Sequence, residues 1–253
     1  MQEYTVSISI VTYNNEEHIG PLLDSLKKYT KKADHIIYVV DNGSIDKTVE
    51  IVRNYDVVFI QNKKNIGFGA GHNLVIQQIK SKYHVCINPD IVIDNDVISD
   101  IADYMDFHED IGILIPKILN IDSTIQILPK RDPKLIYLVS RRIHIKLLQK
   151  YRHEYEMQGM DYELPFDIEF TAGCFMFIRT DIIQQIGGFD ERYFLYFEDA
   201  DMGRSIRKYA RAQYNPSFKV YHHWNRACKR ELKYFIIQIH SMFKYMIKWR
   251  RKN

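Results

Sequence analysis

Strand and helix signals alternate through the first half of the chain, and this alternation constrains the fold more than any other feature. Four apolar runs rich in β-branched residues predict strands, and the segments between them carry apolar residues at helical spacing. The predicted strands cover residues 6–11, 35–40, 57–60 and 83–88, and the predicted helices cover residues 16–29, 45–54 and 69–80. Because crossover helices join parallel strands, the pattern predicts an α/β fold with a mainly parallel central sheet flanked by helices.

The pattern loosens after residue 90. Further strands are predicted at residues 111–115, 174–178 and 218–221, and further helices at residues 96–107, 134–152, 198–209 and 230–249. A short helix is also expected after Thr180, which can cap it. Since no repeat, low-complexity segment or Gly/Ser linker interrupts the 253 residues, we expect one domain over residues 1–228 and a helical tail over residues 229–253.

Charge and cysteine usage exclude several classes of protein. Lys and Arg total 35 against 32 Asp and Glu, and the resulting net charge of +3 gives no reason to expect a nucleic-acid partner. The three cysteines, Cys86, Cys174 and Cys228, lie far apart, which argues against a zinc cluster and fits a reducing compartment.

No apolar run reaches the roughly 18–20 residues that span a bilayer, and residues 6–11 are too short for a signal peptide. We therefore expect a cytoplasmic protein, either soluble or peripheral on the inner face of the membrane.

Polar turns follow three of the predicted strands. They are Thr12-Tyr13-Asn14, Asp41-Asn42-Gly43-Ser44 and Asn88-Pro89-Asp90. Each is an ordinary turn by itself, but ligands of open parallel sheets bind outside the carboxyl ends of the strands, where all three would meet. Residues 65–73 add spaced glycines before a helix, which suit either phosphate and ribose or close helix packing.

Two acidic segments suggest a metal and a proton acceptor. Asp90 with a diphosphate can hold Mg²⁺, which takes few protein ligands; the alternative is a plain turn residue. Glu198, Asp199 and Asp201 follow an aromatic run, and apolar walls raise carboxylate pKa values and prepare a carboxylate to take a proton from a hydroxyl. Because residues two apart do not share a helix face, Asp199 and Asp201 are expected to have different roles.

Three further features are open to two interpretations. His222, in a His-His-Trp run, can complete a metal site or contact a diphosphate, or be structural. Tyr196 and Trp224 can stack on a bound substrate, or belong to the core. The tail has apolar residues at helical spacing and a basic end, which fits a helix lying on anionic lipid or one packed on the catalytic domain or on a second subunit of a homodimer.

Taken together, the motifs resemble the family-two inverting glycosyltransferases, and within them the bacterial rhamnosyltransferase-like subgroup. The matching segments occur in family order at residues 11–14, 40–44, 65–73, 88–90, 187–191, 196–201 and 220–223. They span the chain from residue 6 to about residue 230. The resemblance implies a GT-A fold, which is Rossmann-like, together with a nucleotide-sugar donor and Mg²⁺ or Mn²⁺.

The resemblance also implies roles for individual residues. The nucleotide-sugar pocket would be formed by Thr12, Tyr13, Asn14, Asp41, Asn65, Gly67, Asn73 and Asn88, with Asp41 on the base. Asn88 and Asp90 occupy the DxD positions, Asp90 and His222 would hold the metal, and Asn88 lowers the local negative charge. Asp199 matches the general base, and Glu198, Asp201, Tyr196 and Trp224 would lie near the acceptor or behind the base.

The expected reaction is transfer of a single sugar with inversion, since the QxxRW motif of processive relatives is absent. The resemblance favours dTDP-L-rhamnose as donor, with a UDP-hexose or UDP-galactofuranose as alternatives. The acceptor would be a hydroxyl of a cell-surface polysaccharide or a lipid-linked glycan. A nucleotidyltransferase is disfavoured because the segment after the first strand is acidic, and a non-catalytic carbohydrate- or membrane-binding module is disfavoured because Asp90 and Asp199 are both present.

Overall fold

A mixed sheet forms the centre of the computed structural model, which describes residues 4–143, 145–170, 172–223 and 232–250. Its strands are β1 Val6–Thr12, β2 His35–Asp41, β3 Val58–Gln61, β4 Tyr83–Ile87, β5 Ile91–Val92, β6 Ile111–Leu119, β7 Phe166–Asp167, β8 Phe175–Arg179 and β9 Arg211–His222. They are ordered β3-β2-β1-β4-β8-β6-β9-β5, and β7 pairs with β9. The first four strands are parallel as predicted, whereas β8 runs antiparallel to both β4 and β6.

Helices flank this sheet, as the strand–helix alternation predicts. They are α1 Ile19–Tyr29, α2 Thr48–Val52, α3 Phe68–Ile76, α4 Val97–Asp106, α5 Leu135–Arg142, α6 Lys146–Tyr155, α7 Thr180–Gln185, α8 Glu198–Ile206 and α9 Leu232–Arg250. Within the described residues, no helix has both the length and the apolar character needed to cross a membrane.

Strand β1 organises the core because it is buried on both faces. It pairs in parallel with β2 on one side and β4 on the other. On one face Val6, Ile8 and Ile10 join the largest apolar cluster together with the buried leucines of α1. The other face carries Ser7 and Ser9, which are also fully buried. A buried polar face of this kind requires hydrogen-bond partners inside the protein.

Those partners form a chain of buried side chains between β1, β4 and α3. The Ser7 hydroxyl lies 2.7 Å from Nδ1 of His84, and the Ser9 hydroxyl lies 2.8 Å from Nε2 of the same ring. The Ser9 hydroxyl also contacts Nδ1 of His72 at 2.6 Å. Burial lowers the pKa of His84 to about 3 and lowers the pKa of His72 well below its usual value. Both rings are therefore neutral, and each hydroxyl rotates to match the tautomer it faces.

Two predictions from the sequence are corrected in the second half. The single helix expected at residues 134–152 is two helices, α5 and α6, because Ile143 and Ile145 adopt extended backbone between them. Both are β-branched residues, which favour strand-like conformations over helix. The strand expected at residues 218–221 is the end of the longer β9, whose first part is polar and contains Pro216.

The helical tail packs with one face against α8. Asp201, on α8, is buried and accepts hydrogen bonds from Nε1 of Trp249 at 2.8 Å and Nζ of Lys248 at 2.6 Å. Tyr245 and Trp249 are buried there beside Tyr193. Asp201 therefore holds α9 onto the domain, a role different from that of Asp199.

We predict that His84→Gln weakens the acid sensitivity of folding. A histidine with a depressed folded pKa contributes stability that is present above its unfolded pKa of about 6.5 and is lost as the pH falls, because the unfolded chain binds the proton first. Removing this group should reduce the slope of unfolding free energy against pH between about 4 and 6.5 by up to about 1.4 kcal/mol per pH unit. Urea unfolding at several pH values measures the slope. The same substitution at the exposed His240 is the control for the chemical change, and a wild-type slope in His84→Gln would refute the assignment.

Candidate active site

The pairing of β5 with β9 brings together two residues that are far apart in the sequence. Ile91 lies opposite His222 in this antiparallel pair, and the backbone N–H of His223 donates to the carbonyl of Asp90 at 2.9 Å. The result places Oδ1 of Asp90 at 3.3 Å from Nε2 of His222. Both side chains are largely buried, with exposed fractions of 18% and 7%.

Gln126 fixes the tautomer of the His222 ring. Its amide nitrogen donates to Oδ1 of Asn120 at 2.7 Å and to the carbonyl of His222 at 3.0 Å, so its oxygen must face Nδ1 of His222, at 2.9 Å. Nδ1 therefore carries the proton, and in the neutral ring Nε2 directs a lone pair at the carboxylate of Asp90. Among the described residues, Oδ1 of Asp90 has no hydrogen-bond donor.

Two acceptors at this distance repel each other unless a cation lies between them. The pair therefore fits a divalent metal, although the described residues contain no group of three or more metal-ligating side chains. One carboxylate and one imidazole suffice when substrate phosphates and water complete the shell. An imidazole nitrogen favours Mn²⁺ over Mg²⁺, which prefers oxygen ligands.

The segment before β8 connects Asp199 to the same region. The N–H of Gly173 donates to Oδ2 of Asp199 at 3.2 Å, and the carbonyl of the next residue, Cys174, accepts from the N–H of Asn88 at 2.9 Å. Gly173 thus contacts the carboxylate at the start of α8, and Cys174 contacts the Asn-Pro-Asp turn. Oδ1 of Asp199 accepts from the N–H of Ala200 at 2.8 Å, so the backbone orients both carboxylate oxygens.

Burial sets the charge state of this carboxylate and its neighbour. It raises the pKa of Asp199, against the opposing effect of backbone hydrogen bonds and the Lys130 charge. It raises the pKa of Glu198 well above the usual value, and the nearby charge of Asp199 adds to the effect. Oε2 of Glu198 is buried without a hydrogen-bond partner among the described residues, as expected for a neutral carboxyl. Burial also lowers the pKa of Lys130 to about 8.

The loop that leads into α8 is strained. Tyr196 and Phe197 both have positive φ angles, 68° and 70°, a conformation that costs non-glycine residues about 1–3 kcal/mol each. Contacts on two sides hold the loop: the N–H of Phe68 donates to the carbonyl of Phe194 at 3.1 Å, and the Ser241 hydroxyl of α9 donates to the carbonyl of Leu195 at 2.8 Å. The loop leads directly into α8, and Asp199 lies in the first turn of this helix.

The residues predicted for the nucleotide meet at the carboxyl ends of β1 and β2. The buried carboxylate of Asp41 accepts from the N–H groups of Gly43 and Ser44, each at 3.1 Å. The Ser44 hydroxyl in turn accepts from the N–H of Asn14 at 2.8 Å. Thr12 is buried beneath this loop, and the exposed Tyr13 stands at its edge. The structure thus brings Thr12, Tyr13, Asn14 and Asp41 together.

Residues 65–73, the glycine-rich segment, make packing contacts and hydrogen bonds within the protein. A side chain at Gly67 would meet the Phe194 carbonyl at 2.6 Å, so this glycine permits the loop before α8 to approach. The Oδ1 of Asn65 accepts from the N–H of Gly67 at 2.9 Å. The Asn73 amide donates to the Phe189 carbonyl and to Glu191, both at 2.9 Å, and accepts from the Phe189 N–H at 2.8 Å. These contacts support a structural role, and donor contacts by Asn65, Gly67 and Asn73 stay predictions.

Some residues important to the site were not singled out in the sequence. Gln126 lies in an irregular stretch with no motif, and Gly173 precedes a strand with no turn signal. Lys130, beside Asp199, follows a proline in a segment without periodicity. Trp224 and the domain boundary expected after residue 228 lie outside the described residues.

Comparison with known proteins identifies the family. The model of Glycosyl transferase family 2 matches residues 7–187, which is more than half of the chain. The chain belongs to glycosyltransferase family 2. The N-acetylglucosaminyl-diphospho-decaprenol L-rhamnosyltransferase of Mycobacterium tuberculosis is 27% identical over 84% of this chain and 74% of its own length. The rhamnosyltransferase WbbL of Escherichia coli K12 is 25% identical over 97% of this chain and 94% of its own length. The resemblance to rhamnosyltransferases is confirmed at this level.

Solved structures confirm the GT-A fold of this family-2 glycosyltransferase. TarS 1–349 of Staphylococcus aureus superposes with a TM-score of 0.62 at 21% identity over 86% of the chain, which spans 60% of that structure. The mannosyltransferase PcManGT of Pyrobaculum calidifontis, solved with GDP-Man and Mn²⁺, has a TM-score of 0.65 at 14% identity over 100% of this chain and 66% of its own. These matches support the assignment of a central sheet flanked by helices.

We predict that Asp90 and His222 bind Mn²⁺ in the presence of UDP or dTDP. Electron paramagnetic resonance of free Mn²⁺ measures this binding without any turnover. Asp90→Asn should abolish it, and Gln126→Leu should weaken it about 10–100-fold, because the ring of His222 loses the partner that fixes its tautomer. The exposed Asp94→Asn variant, four residues along, is the matched control and should bind as wild type. Equal Mn²⁺ binding by Asp90→Asn and Asp94→Asn would rule out the site.

Proposed function

We propose that this glycosyltransferase moves a single L-rhamnose from dTDP-L-rhamnose, with inversion and with Mn²⁺ or Mg²⁺, onto a hydroxyl of a lipid-linked or cell-surface glycan. Both relatives described above carry the name rhamnosyltransferase, and the mycobacterial one is named for an acceptor on decaprenol diphosphate. The observation that carries the proposal is the position of Asp199, a backbone-oriented carboxylate linked through Gly173 and Cys174 to the turn that carries Asp90.

Asp199 has the properties of a general base. Burial raises the pKa of this carboxyl, which strengthens it as a proton acceptor while its backbone hydrogen bonds favour the ionised form. It also lines a cavity large enough to admit an acceptor. Burial raises the pKa of its neighbour Glu198 well above the usual value, which favours a single negative charge facing the incoming hydroxyl.

The reaction follows as one displacement at the anomeric carbon. Asp199 takes the proton of the acceptor hydroxyl while that oxygen forms a bond to the anomeric carbon. The bond from this carbon to the phosphate oxygen breaks, and its electron pair leaves with the nucleoside diphosphate on the opposite face. A divalent cation held by Asp90 and His222 would supply positive charge to the departing diphosphate.

The donor rests on the relatives and not on a contact in the site. The same fold has been solved with UDP-GlcNAc in TarS and with GDP-Man in PcManGT, so the GT-A framework accepts several nucleotides. A UDP-hexose or UDP-galactofuranose is therefore the alternative donor within the same mechanism. The loop formed by Asp41, Gly43 and Ser44 is the part of the described chain that would face the base.

Asp199→Asn should abolish sugar transfer and leave donor binding nearly intact. The amide cannot accept the acceptor proton, and loss of a general base typically costs about 10²–10⁴-fold in rate. Initial rates and calorimetric titration with the nucleotide-sugar separate the two effects. The surface variant Asp103→Asn on α4 is the control for the same chemical change. Transfer at the wild-type rate by Asp199→Asn would remove Asp199 from the mechanism.

A panel of nucleotide-sugars should distinguish the donors. A ligand that binds only the native state raises the melting temperature by mass action. We expect the largest rise with dTDP-L-rhamnose and Mn²⁺, and a smaller rise without metal. A larger rise with a UDP-sugar would retain the mechanism and overturn the choice of rhamnose.

A further inference from the structure

A cavity of about 970 Å³ lies between α5, α9 and the start of α8. This volume is near the upper end of the range of about 300–1,000 Å³ that is typical of ligand pockets. Asp199 and Glu198 line it, so the cavity is continuous with the position where the acceptor hydroxyl must lie. The cavity can therefore hold the part of the acceptor that extends away from the reacting hydroxyl.

Most of the side chains that α5 and α9 contribute to the cavity are apolar. Leu138 and Val139 contribute from α5, and Ile239 and Met242 contribute from α9. Sugars require hydrogen-bonding partners, which these side chains do not provide, whereas hydrocarbon is stabilised by burial against them. The walls therefore match a lipid chain better than a further sugar residue.

Two cations complete the lining. Lys130 and Arg141 both border the cavity, together with the carboxylates of α8. The guanidinium of Arg141 lies over the ring of Tyr155 and is 3.8 Å from a carboxylate oxygen of Glu156. Amines and guanidinium groups are the side chains that bind phosphate. The cavity thus combines carboxylates, cations and hydrocarbon walls, the three chemistries needed for a sugar on a lipid phosphate.

An exposed apolar strip continues from the cavity along α9. Leu232 and Ile236 are 73% and 59% exposed, and Phe243 and Ile247 are 57% and 71% exposed. Leu147 on α6 is also 76% exposed. Exposed lysines accompany these side chains at positions 134, 146, 150 and 233. Apolar side chains flanked by basic ones are typical of helices that lie on anionic membranes.

We propose that the cavity between α5 and α9 binds the lipid phosphate or diphosphate of a membrane-held acceptor, with hydrocarbon along the apolar walls and phosphate at Lys130 and Arg141. The exposed strip of α9 would rest on the membrane and place the mouth of the cavity at its surface. This inference rests on the proposed glycosyl transfer, and it assigns the acceptor's lipid part to a named site.

Farnesyl diphosphate, a soluble isoprenoid diphosphate, is the probe, and inorganic pyrophosphate is its lipid-free counterpart. Binding is measured by calorimetry in vesicle-free buffer with EDTA, so that the divalent-metal site does not contribute. We expect farnesyl diphosphate to bind at least about tenfold more tightly than pyrophosphate, because burial of its methylene and methyl groups adds to affinity. Equal affinities would show a site for phosphate alone and overturn the proposal.

Two matched pairs of variants locate the binding. Ile239→Asn changes the cavity wall, and Ile236→Asn makes the same change three residues away on the exposed strip. On α5, Leu138→Asn changes the opposite wall, and Ile136→Asn is its exposed partner. Both wall variants should lose the preference for farnesyl diphosphate, while both exposed variants keep it. Ile236→Asn should instead weaken binding to vesicles of anionic phospholipid.

Nucleotide binding in the same preparations separates this inference from the proposed function. Wild-type protein that binds dTDP or UDP with Mn²⁺, but shows no preference for farnesyl diphosphate, would overturn the lipid site alone. Absence of nucleotide binding would overturn the proposed function as well. Melting temperatures identify a wall variant that fails to fold, and the variant on the other wall then decides the result.

Discussion

The antiparallel pairing of β4 with β8 is the contact on which both halves of the candidate site depend. It continues past the end of β4, where the N–H of Asn88 donates to the carbonyl of Cys174 at 2.9 Å. The residue before Cys174 is Gly173, which donates to Asp199. A shift of this register by one residue would turn every side chain of β8 to the other face and separate the Asn-Pro-Asp turn from the carboxylate of α8.

The strained loop before α8 shows how the remainder of the chain supports that contact. Positive φ angles at Tyr196 and Phe197 persist only when the surroundings determine the conformation. Gly67 lets α3 approach from one side, and Ser241 of α9 holds the other. Asp201 fixes α9 through Lys248 and Trp249, so the C-terminal helix contributes to the geometry around Asp199 as well as to the wall of the cavity.

The sequence predicted the parts of this protein that local patterns determine. The first four strands follow from periodicity, Asp90 follows from a turn at a strand end, and Asp199 follows from its position behind an aromatic run. The family resemblance implied that Asp90 and His222 share a metal, but no local pattern indicated the strand pairing that brings them together, because β5 has only two residues and β9 begins as a polar segment containing Pro216. The role of Gln126 depends on a side-chain contact 96 residues away in sequence, which no local pattern records. The break between α5 and α6, which borders the cavity, was likewise hidden by a continuous basic, helix-forming composition.

The two adjacent carboxylates at the start of α8 have different surroundings. Glu198 and Asp199 are adjacent and both face a poorly hydrated space, where two negative charges would repel strongly. Among the described residues, Oε2 of Glu198 has no hydrogen-bond donor, whereas two backbone N–H groups donate to Asp199 and favour its ionised form. The pKa of Glu198 accordingly rises well above its usual value. A carboxyl whose pKa is raised on folding lowers the free energy of unfolding as the pH rises above its ordinary pKa of 4.5. The burial of Glu198 therefore costs the protein stability at neutral pH. That cost accompanies the proposed arrangement, in which Asp199 is the single base that faces the acceptor.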